Sequence, residues 1–389
     1  CVCRRRIRIQ RIKRNEPIML EAIHRNTRVV VDLSIVKENI KKQLAKLSPS
    51  QELYAVVKAN AYGHGMIPVA KAAVEAGATG FCVANVDEGL GLRQAGFTQP
   101  ILILGLSRVE DAALLAENKI TASVDSVAWL KEAVQYLNDT PLKVHIAVDS
   151  GMGRIGVVNE EELAAVEAVL KNGPFEFEGI FTHFATADEA DTTQLTKQIE
   201  KFHRLVDELS VKPAHVHYSN SAYALWHGAG DSAIVRYGIG IYGINPSNGD
   251  LALNDESALT PALRWETEMV KVKKLEAGDT VSYGATYTAE EEQWVATLPV
   301  GYADGFIRAY NKGDVLVDGV RCPIVGRICM DQCMIRLPHE FPVGTTVTLL
   351  GKDGDEEITA IELAKRSETI AYEVLCIISD RVKRVYINE

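Results

Sequence analysis

The chain lacks any apolar run long enough to cross a bilayer, although 47% of its 389 residues are hydrophobic. A membrane-spanning helix needs about 20 consecutive apolar residues, so the sequence predicts no membrane partner. The seven cysteines lack the spacing of a disulfide framework, and the pair Cys329 and Cys333 is not followed by a second pair of matching spacing. We therefore predict reduced, partly buried cysteines, no metal site and a location in the reducing cytoplasm.

An excess of positive charge is absent outside the first 18 residues. Residues 1–18 carry a net +6, so the formal charge of −10 becomes −16 for residues 19–389. No apolar segment follows these basic residues, as a secretory signal would require. A basic arm that binds nucleic acid is one interpretation. We favour translation from Met19, with a start-site artefact or disordered tail before it, because the acidic body does not suit a nucleic-acid partner.

Short β-rich apolar runs alternate with amphipathic helical stretches from Leu53 onward, and continuous apolar runs at this spacing are typical of a parallel sheet covered by helices. The helical patterns include residues 86–94, 127–136, 160–170 and 194–209. The eight predicted strands are Leu53–Lys58, Gly80–Ala84, Ile101–Gly105, Thr121–Val124, Val144–Asp149, Phe177–His183, Val216–Ser219 and Ile234–Tyr237. Eight such units over about 200 residues predict an α/β fold with a TIM-type (β/α)₈ barrel. We assign it to residues 19–252, with residues 24–32 packing against the C-terminal domain.

The sequence pattern changes after the polar connector at 248–260. Alternating segments with Gly-Asp and Asp-Gly turns predict a mostly antiparallel β domain at 253–389, and Asp318-Gly319 is a strong hairpin signal. One helical stretch, Ile358–Ala364, interrupts it. The predicted strands are Met269–Lys274, Val281–Tyr283, Trp294–Pro299, Val315–Val317, Arg321–Ile328 and Val347–Leu350.

Lys58 directly follows an apolar run and precedes a glycine-punctuated turn at 63–65. An ammonium group at the end of a buried strand is costly unless it is paired or neutralised, so its pKa should fall. A neutral amine at that place is a nucleophile suited to forming an imine with an aldehyde. The alternative is a surface lysine whose stem packs on the strand while its head stays in water.

Polar residues also follow other predicted strands at their carboxyl ends, where chemistry gathers in a barrel. Taken singly, Arg154 suits a loop cation, His183 a core histidine and Ser221 a helix N-cap. Together at one end of a barrel, with Arg236 from the eighth strand, they favour a binding site.

The backbone near two of these strand ends suits a phosphate. Asn220-Ser221 opens a helix and residues 238–240 form a glycine-rich turn, so both present N–H groups. A phosphate cradle, an imine-forming lysine and a flat-ring partner such as His183 together suggest pyridoxal 5'-phosphate.

Five segments resemble motifs of alanine racemases, in the order in which that family has them. They are Ala55–Gly65, Gly151–Gly156, Thr182–Asp188, Gly301–Gly305 and Met330–Gln332. The resemblance runs colinearly from about His24 to the end of the chain. It implies pyridoxal-phosphate-dependent interconversion of L- and D-alanine, which supplies D-alanine for cell-wall peptidoglycan. It also implies a head-to-tail homodimer whose active sites are shared between subunits.

The resemblance assigns roles residue by residue. Lys58 is similar to the Schiff-base lysine that also acts as one acid–base group, and Tyr283 to the opposing base from the other subunit. Arg236 is similar to the arginine that donates to the pyridine nitrogen. The cofactor positions are Lys58, Tyr62, His183, Asn220, Ser221, Arg236, Gly238, Ile239 and Tyr372. The substrate and entrance positions are Arg154, Met330, Asp331, Tyr302 and Tyr242. Two bases on opposite faces suit the reaction, since inversion at Cα removes a proton from one face and returns one to the other.

The chain departs from the family at Ala147. Many members have a lysine there that is carbamylated and orients the arginine that matches Arg154. Because alanine cannot be carbamylated, we expect a bound anion such as chloride, or water, in that place. Asp380 is a milder departure.

Other functions stay open on the sequence alone. The first is a racemase of another small amino acid such as serine. The second is a pyridoxal phosphate decarboxylase of the same fold, although such enzymes generally place an acidic residue where this chain has Arg236. A non-catalytic carrier of the cofactor would not need Tyr283, Met330 or Asp331. D-alanine formation measured against carbon dioxide release separates the racemase from the decarboxylase.

Overall fold

A computed structural model describes residues 21–137 and 140–389, so the predicted basic leader lies outside the described residues. An eight-stranded, all-parallel sheet forms the first half of the fold, in the order β8-β7-β6-β5-β4-β3-β2-β9. After β1 (Arg28–Asp32), its strands are β2 (Glu52–Val56), β3 (Gly80–Val83), β4 (Ile101–Leu106), β5 (Thr121–Val124), β6 (Leu142–Ala147), β7 (Phe175–Phe181), β8 (His215–His217) and β9 (Ile234–Tyr237).

Backbone hydrogen bonds join the two ends of this sheet. Ala233 N donates to Val216 O at 2.9 Å and Arg236 N donates to Ser219 O at 3.0 Å, so β8 lies beside β9. The predicted (β/α)₈ barrel is therefore confirmed. The strands predicted at 121–124 and 234–237 have the same bounds in the structure, whereas the other six are shifted at one or both ends by one or two residues.

Helices surround the barrel, and several begin at a capping side chain. Asn85, Ser126, Asn159 and Asn220 each accept a hydrogen bond from the backbone N–H three residues further on, as helix N-caps do. The helices are Leu33–Leu44, Met66–Ala76, Val86–Gln94, Ala112–Glu117, Val127–Ala133, Glu160–Asn172, Thr193–Asp207 and Ser221–Trp226. The helix predicted at 86–94 has the same bounds in the structure, whereas the one predicted at 127–136 ends three residues earlier.

Antiparallel pairing dominates the second half of the chain, as predicted. One sheet has the order β16-β15-β18-β10-β1-β20, with β19 on β18, and β11-β14-β17 and β12-β13 form two smaller sheets. The strands are β10 (Leu263–Glu268), β11 (Lys271–Leu275), β12 (Thr280–Val281), β13 (Tyr287–Thr288), β14 (Gln293–Leu298), β15 (Asp314–Val317), β16 (Val320–Pro323), β17 (Cys333–Leu337), β18 (Thr346–Asp353), β19 (Glu356–Ile358) and β20 (Lys383–Ile387). Helices Ala360–Arg366 and Ala371–Cys376 lie between β19 and β20 along the chain.

Two predictions from the sequence, a hairpin turn and a strand, can be compared with this half of the structure. Asp318 and Gly319 both have positive φ and join β15 to β16, which is the turn geometry that favours Asp-Gly in hairpins. The strand predicted at 321–328 is too long. It ends at Pro323, and Val325 instead donates to Met334 O of β17.

The first strand belongs to the second half. β1 pairs antiparallel with β10 and parallel with β20, so residues from both ends of the chain lie side by side in one sheet. Among the described residues, the cysteines are unpaired and no helix is both long and apolar enough to cross a bilayer.

Candidate active site

A cavity of about 290 Å³ opens at the carboxyl ends of the barrel strands. Four of the predicted site residues meet there, namely Lys58, Arg154, His183 and Arg236. The other lining residues are Ala84, Leu104, Gly105, Ala147, Val148, Met152, Ile155 and Phe181. Cationic and aromatic side chains therefore meet in a cavity whose other lining residues are apolar.

Lys58 does not end a strand, as the sequence predicted, but begins a left-handed turn two residues after β2. The four residues that follow it, 59–62, have φ between 52° and 54°. Left-handed backbone costs about 1–2 kcal/mol for each such L-residue, and strain of this kind clusters at functional sites. Glu88 holds the turn in place, since one carboxylate oxygen accepts from Ala59 N and the other from Ala84 N, both at 2.7 Å.

The environment of Lys58 favours the neutral amine. Burial lowers its pKa, and the positive charge of Arg154 lowers it further. The same direction was expected from the sequence. A partly buried amine with a lowered pKa beside a second cation does not fit the alternative of a surface lysine in water.

Arg236 is buried at 3% exposure and is held by several acceptors. One guanidinium nitrogen lies 2.7 Å from His217 Nδ1, and the other donates to Thr182 O at 2.8 Å and Tyr218 O at 3.2 Å. The guanidinium carbon lies 5.4 Å from the centre of the Phe181 ring. Burial lowers the pKa of Arg236 to about 10, which still leaves a cation at neutral pH.

A line of polar side chains continues from Arg236 through the barrel interior. His217 Nε2 lies 2.9 Å from His145 Nδ1. His145 Nε2 lies 3.3 Å from Glu178 Oε2, off the direction of a straight hydrogen bond, and Lys143 Nζ lies 2.6 Å from Glu178 Oε1. Burial raises the pKa of Glu178, but contacts from His145 and Lys143 outweigh it and bring the pKa to about 2.

Donor and acceptor roles along this line follow from chemistry. A guanidinium only donates, so His217 Nδ1 accepts and its Nε2 carries the proton. His145 Nδ1 must then accept, so the proton of His145 is on Nε2, the nitrogen that lies 3.3 Å from Glu178 Oε2. The contact with Arg236 thus fixes the tautomers of two neutral histidines, and the partly buried Glu178 carboxylate lies at the end of this line.

Neutral buried histidines make stability depend on pH. Burial lowers the pKa of His64 to about 4 and also lowers those of His145, His183 and His217. The unfolded chain, with histidine pKa values near ~6.5, binds more protons than the folded chain below that pH. We expect the free energy of unfolding to fall as pH drops below about 6.5, because each histidine that stays neutral in the folded chain contributes up to about 1.4 kcal/mol per pH unit. Denaturant unfolding at pH 7 and pH 5, at one protein concentration, checks this. Equal stability at the two pH values would contradict it.

Hydroxyl groups gather beside the cavity, next to the glycine turn. Ser221 Oγ accepts from Gly238 N at 2.7 Å, and the ring centres of Tyr62 and Tyr372 lie 6.1 Å apart. A Cβ at Gly238 would lie 2.9 Å from the Tyr62 hydroxyl, so only glycine leaves this approach open. Asn220 caps the helix that begins at Ser221, the role that the sequence suggested for Ser221 itself. The backbone of Ile239 continues the turn.

Arg154 projects from the loop after β6. Asp149 shapes that loop, since its Oδ1 accepts from Gly151 N at 2.9 Å and Gly153 N at 3.0 Å. Among the described residues, Arg154 has no hydrogen bond or ion pair, and Ala147 lines the same cavity without offering it a polar group. The guanidinium is therefore available to an anionic ligand.

A second cluster contains the remaining predicted residues of the second domain. Tyr283, Met330 and Asp331 line a groove of about 750 Å³, and no residue lines both this groove and the barrel cavity. Tyr302 N donates to Cys329 O at 3.1 Å, which places its loop against the same segment. The side chains of Tyr283, Met330 and Tyr302 are 72%, 53% and 41% exposed, respectively.

A strained residue and an ion pair fix the loops that line the groove. Ser282 has φ of 71°, although it is not a glycine, and its Oγ donates to Arg327 O at 2.7 Å. Asp331 pairs with Arg381 at 2.8 Å, so its carboxylate already has a cationic partner in this chain. Tyr283 is thus presented outward from a fixed loop.

One predicted entrance residue is elsewhere. Tyr242 is fully buried, its hydroxyl donates to Val56 O at 2.9 Å, and its ring packs 4.8 Å from that of Tyr62. Tyr242 therefore does not lie at an entrance but packs behind the turn that follows Lys58.

The sequence interpretation also missed His145, Glu178 and His217. These polar residues interrupt the apolar side chains of β6 and β7 and form part of the short strand β8, His-Val-His, beside them. That pattern was the available signal, because polar groups inside a barrel need partners.

Comparison with known proteins agrees with the two halves of the fold. The pattern for "Alanine racemase, N-terminal domain" matches residues 31–246, and that for "Alanine racemase, C-terminal domain" matches residues 262–386. The chain belongs to the alanine racemase family. It is therefore an enzyme, an isomerase that acts on amino acids.

Relatives of this family cover nearly the whole chain. A protein of Lactiplantibacillus plantarum named alanine racemase is 51% identical over 371 residues, covering 94% of this chain and 98% of the relative. The crystal structure of alanine racemase from E. faecalis has a TM-score of 0.92 at 48% identity, covering 95% of this chain and all of that one. Histidine racemase from Leuconostoc mesenteroides has a TM-score of 0.89 at 35% identity, covering 95% of this chain and all of that one. The same fold thus occurs in a racemase named for another amino acid.

Proposed function

We propose that the protein interconverts L- and D-alanine with bound pyridoxal 5'-phosphate, using Lys58 and Tyr283 as two bases. The observation that carries the proposal is the convergence of Lys58, Arg154, His183 and Arg236 on one cavity at the barrel mouth. The names of the relatives supply alanine as the substrate. We further propose a cytoplasmic enzyme that supplies D-alanine to peptidoglycan.

The residues present fit this cofactor. Gly238 leaves space beside the Tyr62 hydroxyl that any Cβ would fill, and Ser221, Tyr62 and Tyr372 offer hydroxyl groups for a phosphate. Pyridoxal 5'-phosphate, when bound, supplies an aldehyde for a covalent link to the Lys58 amine and a conjugated ring that accepts electron density from Cα. His183, which is neutral, would pack against the ring, and Arg236 would donate to its nitrogen.

Arg236 sets the character of that contact. Its guanidinium donates hydrogen bonds to acceptors of the barrel and stays protonated at neutral pH. It would therefore donate a hydrogen bond to the ring nitrogen without giving up its proton, and this contact would disfavour side reactions such as transamination. The fixed tautomers of His217 and His145 keep Arg236 in this orientation.

The substrate carboxylate pairs with Arg154. This guanidinium is exposed at the cavity mouth, and its charge is not neutralised by the described part of the chain. The substrate carboxylate would also lie near Ala147, which lacks the lysine that many family members have. At that place we expect an anion or water beside Arg154.

Lys58 and Tyr283 exchange the proton. The lowered pKa of Lys58 increases the fraction of neutral amine that can accept a proton from one face of Cα. The Tyr283 phenol then returns a proton to the other face.

A homodimer brings the two bases together. Apolar residues are exposed at the barrel mouth, where Leu106 and Met152 are 47% and 37% exposed, and around the groove of Tyr283 and Met330. Exposed apolar clusters of this kind mark interfaces. In a two-fold dimer each groove can cover the other subunit's barrel mouth, so each site receives Tyr283, Met330 and Asp331 from the partner.

A direct assay tests the function. The purified holoenzyme is expected to convert L-alanine to D-alanine, and complete borohydride reduction of the cofactor link is expected to abolish the activity. Carbon dioxide release without D-alanine would instead support a decarboxylase. Faster turnover of L-serine or L-histidine than of L-alanine would overturn the choice of substrate while leaving the racemase mechanism intact.

A further inference from the structure

Asp304 is a fully buried carboxylate in the second domain that no step of the proposed reaction uses. Its Oδ2 accepts from Gly301 N at 3.0 Å and from one Arg25 nitrogen at 2.9 Å, and its Oδ1 accepts from the other at 2.6 Å. A buried carboxylate is costly unless it is paired and hydrogen-bonded. The bidentate contact with Arg25 meets that requirement, so Asp304 needs no second cation for its own stability.

A second arginine nevertheless reaches the same carboxylate, from the loop between helix Ala371–Cys376 and β20. Arg381 Nε lies 3.3 Å from Asp304 Oδ1, and a terminal nitrogen of Arg381 donates to Asp331 Oδ1 at 2.8 Å. The backbone holds this loop in place, since Ser379 N donates to Asp304 O at 3.0 Å. Because Arg25 already neutralises Asp304, the positive charge of Arg381 is available to Asp331.

The loop 301–305 is fastened to the segment 329–331, which contains two of the residues assigned to substrate binding. Ala303 N donates to Met330 O at 3.0 Å. A Cβ at Gly301 would lie 2.4 Å from Met330 O, so only glycine permits this close approach. The buried carboxylate, the second arginine and the groove are therefore held together through both side chains and backbone.

The contact between Arg381 and Asp331 has little to offer the fold itself. Both side chains are partly exposed, and ion pairs of that kind contribute little to stability. Asp331 lines the groove together with Tyr283 and Met330, so its orientation and charge bear on whatever the groove covers.

We propose that Arg381 is a positioning residue for the substrate and acts through Asp331. It holds the Asp331 carboxylate in one orientation and balances its negative charge where the substrate carboxylate approaches. Asp304 in turn directs the Arg381 guanidinium toward the groove. Without Arg381, an unpaired carboxylate in the groove would repel the carboxylate of the substrate. The inference rests on the proposed function, because it requires that Asp331 faces the substrate.

A double-mutant cycle on the holoenzyme tests whether Arg381 acts through Asp331. Arg381→Gln is expected to raise KM for L-alanine about threefold to fivefold, near the upper end of what one partly exposed ion pair supplies. The change in kcat should be smaller, and Arg381→Lys should recover part of the loss because it keeps the charge. Adding Asp331→Asn to Arg381→Gln should raise KM no further, since the unpaired charge is then gone.

Arg321→Gln is the matched control. Arg321 is exposed to a similar degree in the same domain, and it pairs with Glu356 and Glu362 without lining the groove. It should leave both KM and kcat unchanged. Urea unfolding of Arg381→Gln should match that of the unaltered protein, which separates a change in KM from a loss of folding.

Hybrid dimers show which site the change affects. When a Lys58→Ala chain pairs with a Tyr283→Phe chain, the one complete site takes its groove from the Lys58→Ala chain. Arg381→Gln should therefore raise KM when it is on the Lys58→Ala chain and should not when it is on the Tyr283→Phe chain. The two hybrids carry the same three substitutions, so a general effect on folding would alter both alike.

Three results would overturn the proposal. They are an unchanged KM in Arg381→Gln, a further and additive rise in KM when Asp331→Asn is added, and an equal rise in the two hybrids. Hybrids that are inactive without any change at Arg381 would contradict the shared site of the proposed function instead. The double-mutant cycle in the ordinary dimer would then still decide the role of Arg381.

Discussion

Replacement of Lys58 by alanine is expected to lower kcat/KM for L-alanine by at least about 10⁴-fold, because one side chain provides both the covalent link and a base. The loss should appear in both reaction directions. Lys71→Ala removes an exposed lysine from helix Met66–Ala76 and is expected to leave activity unchanged.

A chemical rescue separates catalysis from folding. Methylamine should partly restore proton transfer in Lys58→Ala, since a small amine can enter the space that the side chain leaves. The rescue should increase with the concentration of the neutral amine. A Lys58→Ala variant that folds, binds the cofactor and keeps more than about a tenth of wild-type activity would rule out the assigned role.

Tyr283→Phe is expected to lower kcat/KM by about 10²–10⁴-fold, the usual contribution of one general acid or base. In contrast to Lys58→Ala, this variant keeps one base. It should still exchange the Cα hydrogen of one alanine enantiomer with deuterated water while failing to form the other enantiomer. Proton NMR of each enantiomer in D₂O measures both processes at once.

Tyr287→Phe is the matched control for this experiment. Tyr287 lies four residues further on, and its hydroxyl bonds to Gln293 rather than facing the groove. It should retain normal racemisation. If Tyr283→Phe exchanged both enantiomers equally, or neither, a two-base mechanism with Tyr283 on one face would be wrong.

Much of the barrel could be predicted from the sequence, because buried parallel strands leave continuous apolar runs. Thr121–Val124 and Ile234–Tyr237 are found with the predicted bounds. β1 and β20 were not predicted as partners, since their pairing joins opposite ends of the chain. No local pattern records which distant strand completes a sheet.

The site was predicted in part for a similar reason. Lys58 and Arg154 lie in distinctive segments, and the structure brings them to one cavity with His183 and Arg236. The left-handed turn after Lys58 was missed, because Ala59 and Ala61 give no sign of positive φ. Contacts with Glu88 impose that conformation, and they depend on the folded barrel.

The side chains that line up behind Arg236 could not be predicted from the sequence for the same reason. His145, Glu178 and His217 are far apart in sequence but on adjacent strands. Their donor and acceptor order follows only when the distances are known. Tyr242 is the opposite case, because an aromatic residue near the site in sequence is buried behind it in the structure.

The central claim is that each active site combines Lys58 of one subunit with Tyr283 of the other, and mixed dimers test it most directly. Lys58→Ala and Tyr283→Phe chains, each nearly inactive alone, are co-expressed with different tags, and the hybrid dimers are purified. A hybrid has one site with both native bases and one site with neither. The account predicts about half of wild-type activity per hybrid dimer. Activity no greater than that of the parent variants would show that both bases come from one chain and would contradict the account.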